Sequence, residues 1–453
     1  MTPDAWRDLL EKRLHDRWSQ WKIFDDYYEG NQRIQSWLRT VQVAFQGTVL
    51  GNLLNNVNDN YMALVVDSAA ERLRVQGFRF GESEDADKDA WRIWQANGLD
   101  AESNMLHTEA IKLGEAYWMV QPNGDTPLIT SEHPSQVIVA HAPGNRRVRL
   151  AALKKWADGE FVYANVYLPD RIVKYRTTER QLREQVAEKR WSTVSAVSNP
   201  LGEVPVVPIR NNPSMLRGGR SDLGGGIIAL QDQILKTVVD SLIGGEYQGL
   251  PQRVLLGVEP PRDPETGKPI PFEKAAKSRL WYFGNKDAKA HEFSQADIEA
   301  LRKAVDGFIG DLAAQTRIPI YYFRPQAISN ISAETLIGLD AGLVSKTNDK
   351  KDPFGEGHED TMRLAFKSIN ADDPRANAVD AEVIWKDTES RSQAQLTDAV
   401  TKEVAAGLIS REAALEKLGY TPTAIDRIMA QSAEEAFLTP EPDGGESSLP
   451  AVN

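Results

Sequence analysis

Two stretches of sequence decide the fold of this chain: SDLGGGIIALQDQILKTVVDSLIGGEYQ at residues 221–248 and DIEALRKAVDGFIGDLAAQTRI at residues 297–318. Their apolar residues recur at the period of an amphipathic helix. A segment rich in Pro and Gly separates them and contains strand-like runs at 252–258 and 279–283. We therefore predict two helices lying side by side with a small lobe at their far end. Such a strut suits a ring or a channel better than an active site.

Local signals set the limits that we expect for these two helices. The first is predicted over residues 227–243 and ends at Gly244-Gly245, because paired glycines favour helix termination. The second is predicted from about Asp297 to Gln315, with Ser294 placed as its N-cap.

The apolar faces of the two helices differ in width. The face of the first covers slightly more than half of the helix, so this helix either needs neighbours on two sides or is an ordinary core helix. The face of the second is narrow, which indicates that it packs inward and turns a polar face toward open space. The residues predicted to pack in this strut are Ile234, Leu235, Val238, Leu242, Leu301, Val305, Phe308 and Leu312.

Composition excludes several classes of protein. The chain has 453 residues, a net charge of −12 and no cysteine, so disulfides and thiolate metal sites are excluded and intracellular assembly is expected. The acidic excess is concentrated after residue 371, and a wrapper of nucleic acid would normally be basic. The sequence has no apolar run that predicts a membrane span, and its charged N-terminus does not resemble a signal peptide.

The region before the first helix is predicted to be α+β. Helices are expected over residues 1–40, 56–74 and 101–113. Alternating apolar residues then predict an antiparallel meander. Because a final strand at 204–209 carries Pro205 and Pro208, it must lie at a sheet edge. The strands expected before it cover residues 117–121, 137–140, 147–156, 160–168 and 171–175.

The region after the second helix is predicted to be mainly helical. We expect a helix from residue 333 that breaks at Asp352-Pro353-Phe354-Gly355 and resumes over 360–369. A strand at 381–385 and three helices follow, at residues 392–406, residues 410–418 and after Pro422. The tail at 439–453 has the composition of a disordered segment.

The sequence offers no convincing catalytic chemistry. Gly267-Lys268 is followed by Pro269, so it is not a phosphate loop, and Gly224-Gly225-Gly226 is interpreted as a flexible helix start capped by Asp222. His358-Glu359-Asp360 is interpreted as a solvated helix start, and His107 and His133 as packed or surface residues. We therefore predict a protein that is not an enzyme and that needs no metal or other cofactor.

An ordered set of short motifs resembles the portal proteins of tailed double-stranded DNA bacteriophages, particularly those of long-tailed phages that infect actinobacteria. The motifs are Asn60-Tyr61, Arg72-Leu73, Gly77-Phe78, Gly114-Glu115-Ala116-Tyr117, Val204-Pro205-Val206-Val207-Pro208, Ser221-Asp222-Leu223, Leu230-Gln231-Asp232, Gln252-Arg253, Arg317-Ile318-Pro319, Asn330-Ile331-Ser332-Ala333-Glu334, Gly407-Leu408-Ile409-Ser410 and Leu418-Gly419.

This resemblance implies a portal architecture with an α+β wing, a two-helix stem, a clip, a tunnel loop and a helical crown. By position, it implies an N-terminal helical region at 1–54, a wing at 55–221, stem helices at 222–248 and 297–318, a clip at 249–296, a tunnel loop at 319–332, a kinked helix returning to the wing at 333–381, a crown at 382–431 and a disordered tail at 432–453.

The resemblance also implies a function. Twelve copies would form a ring at one capsid vertex, through which double-stranded DNA is packaged and ejected. Expected partners are the terminase motor, the major capsid and scaffolding proteins and the head–tail connectors, with assembly in the host cytoplasm and no membrane. The alternative is another head component, a minor capsid or adaptor protein without a channel.

Two groups of residues receive roles by position in this scheme. The tunnel loop would present Arg324, Gln326 and Asn330 to DNA. The clip would use Arg262 and Lys268 for contacts with partner proteins.

Overall fold

The described residues of the chain form two compact units. The first unit comprises Met1–Phe24, Val66–Asp222 and Asn330–Asn453, and the second comprises Asp25–Val65 and Leu223–Ser329. The computed structural model describes residues 1–31, 36–44, 46–47, 49–55, 57, 59–81, 86–178, 190–215, 218–249, 253–256, 262, 267–268, 280–283, 297–327, 332–389 and 393–438.

The helices predicted at residues 1–40 and 56–74 are shorter in the structure, whereas the one predicted at 101–113 is confirmed and begins two residues earlier. Helix α1 ends at Tyr28 because Gly30 adopts a left-handed conformation with φ 71°. Helix α4 begins only at Met62, since the Asn60 side chain accepts a hydrogen bond from the Met62 N–H and caps the helix there. The helices are α1 (Pro3–Tyr28), α2 (Ser36–Ala44), α3 (Val49–Asn55), α4 (Met62–Ala70), α5 (Lys88–Ala96) and α6 (Leu99–Leu113).

Antiparallel sheets in the first unit confirm the α+β fold class and the predicted meander. Strands β4 to β8 pair consecutively, whereas β2 lies between β3 and β9, and β1 pairs with β12. Strand β9 lies at an edge, as its prolines predict. The strands are β1 (Val75–Arg79), β2 (Glu115–Gln121), β3 (Leu128–Glu132), β4 (Val137–Ala142), β5 (Asn145–Asp158), β6 (Phe161–Tyr167), β7 (Arg171–Thr177), β8 (Ser192–Ser198), β9 (Val206–Arg210) and, late in the chain, β12 (Glu382–Trp385).

The remaining elements follow β9 in the chain. They are α7 (Ile227–Gly249), β10 (Arg253–Leu256), β11 (Leu280–Phe283), α8 (Ile298–Thr316), α9 (Ile320–Phe323), α10 (Ala333–Ile369), α11 (Gln393–Ala405), α12 (Arg411–Lys417) and α13 (Pro422–Leu438), with 3₁₀ turns at Pro325–Ala327 and Pro374–Asn377. The three helices expected after the last strand are therefore confirmed.

Helix α10 is continuous through Pro353, so the predicted break at this proline is wrong. A proline in a helix interior costs about 3 kcal/mol. Packing offsets this cost, because Phe354 is fully buried and Gly357 lies directly against β9. A Cβ atom at Gly357 would lie 2.2 Å from the Ile209 side chain and 3.1 Å from the Pro208 carbonyl oxygen, so the absence of a side chain favours this close approach.

His358 lies inside the first unit and not at a solvated helix start, so that prediction is wrong. Its Nδ1 accepts a hydrogen bond from Trp118 Nε1 at 3.1 Å, and its Nε2 lies 2.8 Å from Nε2 of His107. Because the indole can only donate, His358 carries its proton on Nε2 and donates it to His107. Burial lowers the pKa of His107 to about 3 and that of His358 well below its usual value. Both rings are therefore neutral.

Asp222 lies in a buried ionic network and does not cap a helix as predicted. Its Oδ1 accepts hydrogen bonds from Lys350 Nζ and Asn211 Nδ2, both at 2.8 Å, and its Oδ2 lies 2.8 Å from Lys346 Nζ. Burial raises the pKa of the carboxyl group, but Lys350 and Lys346 outweigh this effect and hold it well below its usual range. The network joins Asp222, the last residue of the segment Val66–Asp222 of the first unit, to α10.

Acid should destabilise the first unit through the two buried histidines. Their pKa values are depressed in the fold, so the stability that they contribute is present above about pH 6.5 and is lost as the pH falls. We expect the free energy of unfolding of His107→Phe to fall less steeply as the pH is lowered, by up to about 1.4 kcal/mol per pH unit. Urea unfolding at several pH values between about 7 and 5 measures the slope of the free energy of unfolding against pH.

The exposed His15 provides the matched control, because His15→Phe makes the same substitution at the surface without changing the buried pair. Glu359, whose pKa burial raises to about 7, acts in the opposite sense, but it is present in both variants and cancels in the comparison. Equal slopes for the two variants would contradict the expected role of His107.

Candidate functional site

The helices α7 and α8 pack against each other in the second unit, as the sequence predicts. Helix α7 continues to Gly249, so the predicted end at Gly244-Gly245 is wrong. A Cβ atom at Gly245 would lie 3.9 Å from the Ile298 side chain, so this glycine faces the start of α8. Contact between the helices offsets the low helix propensity of glycine, which is about 1 kcal/mol per residue. We call α7 and α8 the paired helices.

The wide apolar face of α7 is covered partly by α3. Leu50 and Leu54 of α3 form a buried cluster with Val239, and Ile243 packs against it. The chain itself therefore supplies neighbours on two sides of α7. This removes part of the reason for expecting another subunit along the whole of that face.

The residues predicted to pack in the strut divide into two groups. Ile234, Leu235, Val305 and Leu312 are buried, with exposed fractions of 6% or less. The other four, Val238, Leu242, Leu301 and Phe308, are partly exposed, and Leu242 reaches 36%. The first group belongs to the core of the second unit, whereas the second group leaves apolar surface along the paired helices.

Asn60 joins the ends of two helices in the second unit. Its Nδ2 donates to the carbonyl oxygens of Tyr27, at 2.8 Å, and Tyr28, at 3.3 Å, at the end of α1. Its Oδ1 accepts from the N–H of Met62, at 3.0 Å, at the start of α4. One side chain therefore binds backbone groups at both helix ends, where such groups are not all paired by the helix itself.

Gln231 connects the segment around Asn60, between α1 and α4, to α7. The side chain is fully buried, its Oε1 accepts from the Tyr61 N–H at 3.0 Å, and its Nε2 donates to the carbonyl oxygen of Asp59. The next residue, Asp232, accepts a hydrogen bond from the Tyr27 hydroxyl at 2.6 Å. Asn60-Tyr61 and Gln231-Asp232 were noted in the sequence only as separate motifs, and their contact could not be inferred from spacing.

The segment after α8 folds back on the paired helices. Arg317 ends α8 in a left-handed conformation with φ 56°. Phe323 is buried, and its ring contacts Tyr61 edge-on at a centroid distance of 5.7 Å. Arg324 Nη2 lies 3.3 Å from Asp306 Oδ1 on α8.

The predicted DNA-facing residues of this segment have different surroundings. The Arg324 side chain is 39% exposed and remains beside α8, whereas Gln326 is exposed. Asn330 lies outside the described residues. Their proposed contact with DNA therefore remains a prediction.

In the lobe between the paired helices, the structure describes two strands and three single residues. Strands β10 and β11 pair in parallel, with Arg253 opposite Leu280, which confirms the strand-like character of both runs. Arg262 and Lys268 are exposed. Ser294, the predicted cap of α8, lies outside the described residues, and Asp297 occupies the N-cap and accepts a hydrogen bond from the Ala300 N–H at 2.9 Å.

The described residues form neither a metal-binding cluster nor a helix that could cross a membrane. No group of three or more His, Cys, Asp or Glu among them is arranged to hold a metal ion. No helix in the described part of the chain has both the length and the apolar character that crossing a bilayer requires.

Comparison with known proteins gives matches along nearly the whole chain. Residues 9–436 match the family described as phage portal protein, SPP1 Gp6-like. The portal protein of Mycobacterium phage D29 is 29% identical over 455 residues, which cover 96% of this chain and 90% of that protein. The portal protein of Mycobacterium phage L5 is 28% identical over 429 residues, which cover 91% of this chain and 85% of that protein.

Replacing Gln231 should destabilise the second unit. Gln231→Leu keeps the volume but leaves the partly buried Tyr61 N–H and Asp59 carbonyl without this partner, at a cost of about 1–3 kcal/mol. Gln233→Leu is the matched control, because this residue is exposed on the same helix. Thermal unfolding by circular dichroism measures both variants, and equal melting temperatures would refute the role given to Gln231.

Proposed function

The chain belongs to the SPP1 Gp6-like family of phage portal proteins, and we propose that it forms a ring at one capsid vertex, enclosing a channel for double-stranded DNA. Membership confirms the resemblance to portal proteins of phages of actinobacteria. Portal proteins of this family are structural components of the phage virion and not enzymes. The proposal rests on one observation: the paired helices lie within residues 9–436, the region that matches the family.

A charge-balanced surface on α8 supports a channel through which DNA slides. Glu299, Arg302, Lys303 and Asp306 are exposed and recur at helical spacing, so they share one face. Two acidic and two basic side chains give this face no net charge. A strongly basic wall would bind phosphate tightly through counterion release and would retard movement in both directions.

Apolar surface on the paired helices supports contact with neighbouring copies of the chain. Val238, Leu242, Leu301 and Phe308 remain partly exposed after the second unit has folded. In the first unit, Leu336, Ile337 and Leu339 at the start of α10 are also exposed, by 37%, 37% and 41%. Burial of apolar surface is the main driving force of such association, and in the proposed ring of twelve these residues face the adjacent subunits.

The remaining partners follow from the same proposal. The lobe at residues 249–296, with Arg262 and Lys268, provides contacts for the terminase motor and later for the head–tail connectors. The major capsid and scaffolding proteins surround the ring during assembly. The loop with Arg324, Gln326 and Asn330 contacts DNA.

Imaging of the purified chain tests the ring directly. Negative-stain electron microscopy should show closed rings with a central hole, and Leu242→Asp should shift the chain toward monomers in mass photometry, because it places a charge in an apolar contact. The matched variant Lys236→Asp changes the charge of the same helix at a residue that is paired with Asp240 on the surface. Particles without a hole would favour a minor capsid or adaptor protein.

The loop contact is tested by the ion pair between Arg324 and Asp306. Arg324→Glu should reduce packaged DNA in phage carrying it, while empty proheads form normally, because a carboxylate repels phosphate. The double change Arg324→Glu with Asp306→Arg restores an ion pair but not the position of the positive charge. If the double variant packages like the wild type, the arginine only holds the loop, and the proposed DNA contact is wrong. Lys174→Glu, at an exposed position on β7, is the charge control.

A further inference from the structure

Two neighbouring loops of the first unit are strongly basic although the chain as a whole is acidic. The β4–β5 hairpin, residues 141–149, and the loop at residues 210–220 together contain six arginines and no Asp or Glu. Arg217 lies outside the described residues. The other five are Arg146, Arg147, Arg149, Arg210 and Arg220.

The two loops are held together by specific contacts. Arg146 donates hydrogen bonds to the carbonyl oxygens of Ser214 and Met215, which ties the hairpin to the second loop. The second loop is also fixed at Gly219, where a Cβ atom would lie 1.6 Å from the carbonyl oxygen of Gly114, so no other residue fits. The arginines are therefore presented by an ordered surface.

Positive charge is concentrated around His141. Arg210 Nη2 donates to His141 Nε2 at 2.7 Å, so the imidazole accepts and is neutral. Burial and, to a smaller extent, the positive charges of Arg210, Arg149 and Arg146 together lower the pKa of His141 to about 4. The imidazole therefore satisfies one donor of Arg210 without offsetting its charge, and Arg210 Nε is buried without a hydrogen-bond partner.

Few carboxylates balance these arginines. Glu115 is paired with Arg17 and also attracts the guanidinium of Arg210. Arg149 is paired with Asp360 at 3.1 Å and Glu203 at 3.6 Å, and these carboxylates also bind Arg363 and Lys367.

Three arginines remain exposed on this surface, namely Arg146, Arg147 and Arg220. Within the described part of the chain, the Arg147 guanidinium makes no ion pair. We call Arg146, Arg147, Arg210 and Arg220 the arginine face.

We propose that the arginine face binds the phosphate groups of duplex DNA, as a contact additional to that of the paired helices. Guanidinium groups match phosphate oxygens with paired hydrogen bonds, and a surplus of exposed arginine is the usual feature of a backbone-binding surface. Strand-separated DNA would require aromatic side chains for base stacking. Among the described residues of these loops, the exposed large hydrophobic side chains are Val148 and Met215, neither of which is aromatic.

The test measures binding of a fluorescent duplex of about 30 base pairs to the full chain between about 50 and 200 mM salt. Arg147→Glu should weaken binding about tenfold at low salt and reduce the slope of log K against log salt by about one, because one phosphate contact is lost. Arg92→Glu, the same charge change at an exposed arginine of α5, should leave the slope unchanged.

Two further results decide the proposal. Lys174→Glu, at an exposed position on β7, should leave this binding unchanged, which shows that the loss depends on the arginine face and not on any change of surface charge. The proposal is wrong if Arg147→Glu binds the duplex with wild-type affinity and slope, or if Arg92→Glu weakens it equally. It is also wrong if Arg147→Glu loses binding of polyglutamate but not of DNA, since the surface would then recognise an acidic protein.

Discussion

Unsatisfied backbone groups at helix ends are the constraint on which the second unit depends. The last carbonyl groups and the first N–H groups of an α-helix are not paired by the helix itself, and burying such a group without a partner costs about 1–3 kcal/mol. Asn60 binds such groups at the end of α1 and the start of α4, and Gln231 satisfies the backbone on either side of Asn60. Because Gln231 belongs to α7, the position of the paired helices is determined by polar groups as well as by apolar packing.

In the first unit, a buried ionic network has a comparable role. Asp222 is buried with Lys346 and Lys350, and the low pKa of its carboxyl group reflects how strongly the two ammonium groups stabilise its ionised form. Breaking such a pair leaves a buried charge without a partner and is strongly destabilising. Asp222 directly precedes the second unit's long segment, so the network fixes the point where the chain leaves the first unit.

The distribution of charge is consistent with a protein that contacts DNA at selected places. The exposed face of α8 carries equal numbers of acidic and basic groups, whereas the arginine face has a surplus of positive charge. Counterion release makes binding depend steeply on the number of phosphate contacts. In the proposed ring, a balanced channel surface and a separate basic surface would together let DNA move while some of it is held.

The sequence by itself determined the paired helices, the meander and the edge position of β9, because hydrophobic period and proline chemistry act locally. It also determined the family, through motifs in a fixed order. Only the tertiary structure decided that α10 continues through Pro353, that His358 is buried, and that Gln231 meets Tyr61. In each case contacts between residues distant in sequence outweigh the local preference: Gly357 packs on β9, Trp118 and His107 hold His358, and the buried amide of Gln231 reaches the chain 170 residues before it.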